Sequence, residues 1–599
     1  MRLAFLLCLP AILSAQLIPS GAPVPKTANP PVVFIDGYQS GCGGNTDFAS
    51  NFGAADKVLQ ASGLVTLYFD VCSVSGNPSI EAIGVGFGKF LAALKYTDGS
   101  AVPQVDVVMH SMGGLVLRSF LSGKQPNMPG VFMPPAVVPV RKAVFLGTPH
   151  FGLPLANLLG SDTQTSEMSL GSQFLFDLGT WNQGVDDLRG IDAIAVAGNG
   201  GTGSETGVMG YDDGLVSTTS SSLRFVKPGA TRIVPYCHTA NSLLVLVNYC
   251  KSGTPTLNIL STDPGNLVGQ ILTSFLTGTD AWRNVGESGD TNTVLNARAG
   301  LTLQLRDKSD QPVSLIGATV TSLTPPVNLK ANAGNLVYSD ELPAATSLSL
   351  DLTPLSGTVQ KTNLTLPAGT VLPAIVKPGP VIFPHGIIPA AGPAPFPYDV
   401  APGAYVSIYG SNLASSTAVA TVPYPAQIAD VQVLVNGTAA PLVFVSTGQI
   451  NFVYPAVATG LTQLTVKNMN GQQTVNVRVA PAVPSIFLLD AQGTAAAVNA
   501  TTGAIVGPNA PLHADDFLSL YLTGLGATTN MSGLDYAQAL PIIAIGGQNI
   551  PVSYAGRTPG LAGLDQINCK IPAGLKGAAV PVTVTSAGRT SATAFLNIQ

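Results

Sequence analysis

The spacing of apolar residues changes character once along this 599-residue chain, near Trp282, and that change constrains the possible folds more than any other feature. Upstream, short unbroken apolar runs recur: VVFIDG (32–37), VTLYFDV (65–71), VDVVMHS (105–111), RKAVFLGTP (141–149), IDAIAVAG (191–198) and TRIVPYC (231–237). Runs without polar alternation suit strands buried on both faces, and the stretches between them, notably 78–95 and 112–122, carry helical spacing. Alternating strands and helices build a mostly parallel sheet with helices on both faces, so 28–285 is expected to be one α/β domain, closed by a helix near 266–277. Downstream, LTLQLRD (301–307) and SLSLDL (347–352) alternate apolar and polar residues, which predicts a small β-sandwich over 290–370. Nine prolines from Pro373 to Pro402 predict an extended Pro-rich linker over 371–402.

The remainder repeats itself. YVSIYGSNL (405–413) matches FLSLYLTGL (517–525), and LVNGTAAPLVFV (434–445) matches AIGGQNIPVSYA (544–555). Gln449-Ile450-Asn451, with Pro455 four residues on, recurs as Gln566-Ile567-Asn568 with Pro572. Three blocks in one order at offsets of 110 to 117 predict two related all-β units, 403–485 and 486–599. The Gln-Ile-Asn sites read as hydrogen-bonding residues at strand ends.

Composition narrows the function classes. Only 10% of residues are charged, where about 25% is usual. The 27 Lys and Arg against 32 Asp and Glu include no basic cluster, which excludes an electrostatic surface for nucleic acid or anionic lipid. The 46% apolar content would suit a membrane protein, yet beyond the N-terminus no apolar run reaches the 18 residues of a spanning helix. Arg2 followed by LAFLLCLPAILS, with a small-residue exit at Ser14-Ala15, predicts a signal peptide over 1–15 and an exported chain, secreted or else periplasmic or at the cell surface. In that oxidising setting Cys42 is expected to pair with Cys72 and Cys237 with Cys250, leaving Cys569 as a lone buried thiol.

The chemistry gathers at one corner. VDVVMHS runs straight into MGGLVLRSFL, placing Ser111 between strand and helix with Gly113 and Gly114 behind it. Small residues there let the chain turn sharply, and the helix N-terminus aims N–H groups at a developing oxyanion, as a nucleophile elbow does. Met109 stands where the G-x-S-x-G pattern has its first glycine, which calls for small residues on a neighbouring strand. A serine nucleophile needs a base, and the histidines are His110, His150, His238, His385 and His513. His110, beside the serine, is expected to point away; His385 falls in the Pro-rich stretch, His513 in the last β-unit, and His150 of GTPHFG in a packing or hydrogen-bonding role. His238, in the loop YCHTANS after the last strand, is the expected base. YDDGLVSTTSS offers Asp212 and Asp213 as the orienting acid; Asp-Gly-x-Val opens a tight turn and returns valine to the core, which favours Asp213.

With the order Ser111, Asp213, His238, residues 31–280 resemble the lipase and esterase branch of the α/β-hydrolases, close to bacterial class 2 lipases and inositol-deacylase-like lipases. MHSMGGLVLR, GTPHFG, DDGLVSTTSS and MSLGSQFLFDL (168–178) carry the resemblance. It implies a first strand ending in His-Gly-hydrophobic, here Asp36-Gly37-Tyr38, so that Tyr38 and Met112 inherit the oxyanion N–H roles by position. It also implies a carboxylic-ester hydrolase that forms an acyl-enzyme with hydrophobic esters; the chain is further expected to be a monomer that uses no metal or cofactor. The insertion Phe151 to Gly190 is open to two readings, an acyl pocket with a lid or plain capping of the sheet. The C-terminal pair resembles an uncharacterised bacterial domain of IPT/TIG-like, immunoglobulin-type β-sandwich character. Glycan binding there would call for exposed aromatic platforms, and both tryptophans, Trp181 and Trp282, precede it, so spacer, adhesion or surface-attachment duty is expected. A polyester depolymerase is a variant of the enzyme reading, and an inactive surface-binding protein is the rival from another class.

Overall fold

A computed structural model describes residues 21–39, 42, 48, 52–154, 156–182, 186–201, 210–239, 258–260, 266–307, 309–332, 335–344, 348–391 and 399–599. The expected signal peptide and Cys250 lie outside them. Each upstream apolar run becomes a strand: β1 (Val32–Ile35), β2 (Thr66–Phe69), β3 (Val105–His110), β4 (Val140–Leu146), β5 (Asp192–Gly198) and β6 (Thr231–Val234). They pair in the order β2-β1-β3-β4-β5-β6, all parallel, with a short antiparallel β7 (Glu287–Ser288) at the edge. Side chains alternate between two cores. Val33, Ile35, Val107 and Met109 face the helices α1 (Ile80–Ala93) and α2 (Met112–Ser122), while Val32, Phe34, Val108 and Val144 face the helix Leu267–Thr277. The order reverses between β1 and β3, and open α/β sheets bind ligands at that crevice, outside the carboxyl ends of the strands.

The small sandwich has two four-stranded sheets. One joins Val327–Asn328, Leu315–Val320, Leu348–Pro354 and Gln360–Leu364; the other joins Lys330–Asn332, Leu336–Pro343, Arg298–Leu305 and Val371–Val376. The expected linker over 371–402 is therefore corrected for its described part. Val371–Val376 runs parallel to Arg298–Leu305 as an edge strand, and Val381–Pro389 pairs with Tyr405–Ser411 as the edge of the next unit. Proline lacks an N–H, but an edge strand needs donors on one side only, so Pro373 fits there; Pro384 falls where the register shifts between Ile382 and Ile387.

The next two units are β-sandwiches with separate cores. Their repeat is structural down to the register. Tyr405–Ser411 pairs with Gln449–Val453 so that Tyr409 faces Gln449, and Phe517–Thr523 pairs with Asp565–Lys570 so that Tyr521 faces Gln566. In each unit the glutamine amide donates to the asparagine Oδ1 two residues on, at 2.8 Å from Gln449 to Asn451 and 2.7 Å from Gln566 to Asn568. The motif is a side-chain clip on the sheet face.

The α/β domain and the first sandwich share a core. The insertion after β4 forms short helices at Ala156–Leu159 and Thr163–Met168, then α3 (Gln173–Thr180), whose Phe176 packs with Leu336, Ile375 and Val381 of the sandwiches. Asn332 Nδ2 donates to the carbonyls of Leu170 and Gly171 at 3.3 and 3.0 Å. The second half of the insertion thus caps the sheet and seats the sandwich. Replacing Phe176 (2% exposed) with alanine is expected to destabilise the α/β domain by about 3 kcal/mol or more, read as a lower urea midpoint by circular dichroism; an unchanged midpoint would show that the junction is not packed.

Candidate active site

The corner at Ser111 is made possible by what is missing around it. α2 lies so close to the sheet that a Cβ on Gly113 would meet the carbonyl oxygens of Ile35 and Asp36 at 2.6 Å, and one on Gly114 would meet Thr148 Oγ1 at 2.2 Å. Ser111 itself has φ +51° and ψ −124°, a strained conformation for a residue with a side chain, and strain of this kind clusters at functional sites. Its N–H donates to Leu146 O at 2.9 Å, fixing it to the end of β4. Met109 is fully buried between Ile35 and Phe145 rather than beside small residues. The room for the turn comes instead from Gly37, where a Cβ would stand 3.0 Å from Ser111 Cβ, and from Gly147.

The structure brings Asp213 and His238 together. Asp213 Oδ2 lies 2.7 Å from His238 Nδ1, and Asp213 Oδ1 accepts the N–H groups of Leu215 and Val216 at 3.0 and 2.7 Å. The Asp-Gly-Leu-Val turn thus aims the carboxylate, and His238 N–H donates to Asp213 O at 2.8 Å, closing the loop on itself. Asp212 Oδ1 instead accepts Gly214 N–H at 2.9 Å. A Cβ on Gly147 would stand 3.0 Å from His238 Nδ1 and 3.1 Å from Asp213 Oδ2, so the imidazole sits against the residue that follows Ser111's anchor, Leu146. His238 is 2% exposed, and its Nε2 has no hydrogen-bond partner among the described residues, a condition that in a buried group calls for a functional explanation.

His110 does not point away, as adjacency to the serine suggested. Its ring lies 4.7 Å from that of His238, and its Nε2 lies 3.2 Å from His238 O. Burial, then the neighbouring His238, hold its pKa well below the usual 6.5, so it donates to that carbonyl as a neutral ring and sets no second charge beside His238. Adjacency gives a residue's number but not its ring's direction. His150 is buried between Phe145 and Phe225, and its own carbonyl is held by Arg118, which donates to His150 O at 2.7 Å and Leu178 O at 3.0 Å. His385 leaves the expected spacer altogether. In the strand Val381–Pro389, with φ +54°, it places Nε2 3.3 Å from Asp187 Oδ2 in the α/β domain. His513 stays distant, paired with Asp516 in the last unit.

Tyr38 and Met112 flank the corner. Met112 is the first residue of α2, where backbone N–H groups lack intrahelical acceptors. Tyr38 follows β1, and its hydroxyl donates to Asp162 Oδ2 at 2.7 Å, tying the loop to the insertion. Asp36, which replaces the expected histidine, is fully buried and accepts from Gln39 Nε2 at 3.0 Å and from Val71 N–H at 3.4 Å. Cys42 and Cys72 are disulfide-bonded, joining the same loop to the chain after β2. Cys237 is also disulfide-bonded, and Cys569 is a buried free thiol whose pKa burial pushes up to about 12.

Burial raises the Asp36 carboxyl from 3.8 to about 6. The folded protein therefore keeps this proton where the unfolded chain has lost it, and stability falls as pH rises through that window. The stability of wild type minus that of Asp36→Asn is expected to drop by about 3 kcal/mol between pH 3.5 and 6.5 in urea titrations; a flat difference would contradict the burial argument.

Residues 394–479 match the IPT/TIG domain family. Among solved structures, the chain is similar to the phospholipase PlaB from Legionella pneumophila in complex with thio-NAD, at 13% identity over 58% of this chain and 92% of that one, with a TM-score of 0.40. It is also similar to the mature form of the Bacillus licheniformis lipase BlEst2, at 18% identity over 37% of this chain and 88% of that one, with a TM-score of 0.26. No curated protein matches. An α/β domain followed by β-sandwiches, one of them an IPT/TIG domain, is the architecture of this chain.

Proposed function

We propose that the protein is a secreted carboxylic-ester hydrolase that works through Ser111, His238 and Asp213. The observation that carries this reading is the Asp213–His238 pair, 2.7 Å apart, beside a strained serine at the switch point of a parallel sheet. Ser111 Oγ attacks the ester carbonyl as His238 Nε2 takes its proton, and Asp213 holds Nδ1–H and stabilises the imidazolium. The N–H groups of Met112 and Tyr38 receive the oxyanion, where one donor is worth about 3 kcal/mol. His238 then protonates the departing alcohol, and water, deprotonated by the same nitrogen, releases the acid and restores Ser111. Esters with hydrophobic acyl groups suit the apolar surroundings of the corner, where Met112 and Leu153 are buried.

Hydrolysis of p-nitrophenyl esters of graded chain length, with fluorophosphonate labelling, tests the reading. Ser111→Ala is expected to lose both; equal rates in wild type and variant would sink the proposed nucleophile. A wild type that neither hydrolyses nor labels would favour an inactive surface-binding protein. Asp213→Asn is expected to lower kcat roughly 10⁴-fold and Asp212→Asn less than about tenfold, because it is Asp213 Oδ2 that lies 2.7 Å from the imidazole. The reverse ranking would move the acid by one residue.

A further inference from the structure

A cleft of about 640 Å³ opens where the α/β domain, the small sandwich and the IPT/TIG domain meet, a size typical of small-ligand sites. It is remote from Ser111, since Gly130 and Phe132 on its rim lie beyond the far end of α2, about 16 Å of helix away. One wall is aromatic. Phe132 and Trp181 are both half-buried, their centroids 5.9 Å apart and their planes inclined at 37°. The facing wall is the outer surface of the strands Gly460–Asn468 and Gly471–Val479, where Gln463 and Asn476 stand directly opposite one another and are exposed.

The chemistry of the lining selects a ligand class. Charges at the rim are already matched: Arg306 pairs with Asp310 at 3.1 Å, and Asp177 is taken by Lys124 at 2.9 Å and by Gly130 N–H at 2.8 Å. Among the described lining residues, an anion or cation entering the cleft would find its charged partners already engaged. Carboxamides both donate and accept, as sugar hydroxyls do, and an aromatic corner offers an apolar surface to the C–H face of a pyranose ring. The walls are held apart by packing, because Phe176 anchors α3 against Ile375 while Trp181 caps the helix end. The tryptophan that sequence order places before the β-modules is thus brought against one of them by the fold.

We propose that this cleft binds a neutral glycan and so tethers the protein while leaving the Ser111 edge free. The proposal does not depend on the activity assigned to Ser111. Affinity electrophoresis of the full chain through gels containing xylan, galactomannan, laminarin or dextran tests it. Sedimentation with phosphatidylcholine vesicles, with and without digalactosyl diacylglycerol, separates a free glycan from a lipid-borne one. Retardation by at least one polysaccharide, or galactolipid-dependent sedimentation, is expected, weakened at least tenfold by Trp181→Ala and by Asn476→Ala and largely kept by Trp181→Phe. Should Trp181→Ala fail to fold, Asn476→Ala on the exposed strand face carries the test. Binding to none of these probes overturns the proposal, as does binding that both alanine variants leave intact.

Discussion

The close approach of α2 to the sheet is the constraint on which the site rests. With no side chain at Gly113 or Gly114, helix backbone lies against the ends of β1 and β4, and the chain can leave β3 and enter the helix within the single residue Ser111. The serine is thereby forced into a conformation that favours glycine, and the first helical N–H groups arrive beside it. Gly37 and Gly147 continue the same economy of space on either side, one under Ser111 and one under the His238–Asp213 pair. The geometry is set by glycines on three elements rather than by any one motif.

A second constraint links this edge to the rest of the molecule. The low charge content leaves few ionic groups, and several are buried where elements converge. Arg118, Asp187 and His385 meet between α2, the insertion and the strand Val381–Pro389, while Lys124, Glu81 and Asp177 meet beneath the cleft. Buried charges of this kind are tolerated only when paired, so each cluster fixes the relative placement of the elements that supply it.

Much of this was legible in the sequence because the governing signals are local. Unbroken apolar runs mark strands covered on both faces, and the turn Asp213-Gly214-Leu215-Val216 announces its own geometry. The β-repeat could be read because its Gln-Ile-Asn clip closes within three residues. The Pro-rich stretch misled because proline density reports a missing donor, and an edge strand can spare one. His110 and Trp181 were illegible for a different reason. Where a ring lands depends on the loop opposite it, the His238 loop in one case and the IPT/TIG sheet in the other, and no spacing along the chain encodes that.

His385 carries a consequence for how the chain can be divided. The change in apolar spacing places the end of the α/β domain near residue 285, yet the buried pair of Arg118 and Asp187 receives its third member from a strand a hundred residues further on. A fragment ended at the apparent boundary would expose Phe176 and strip Asp187 of His385 in one cut. The molecule reads as modular in its sequence, yet the strands that follow the α/β domain supply packing and ionic partners to it, so a β-region that reads as an appendage is part of the α/β core's own foundation.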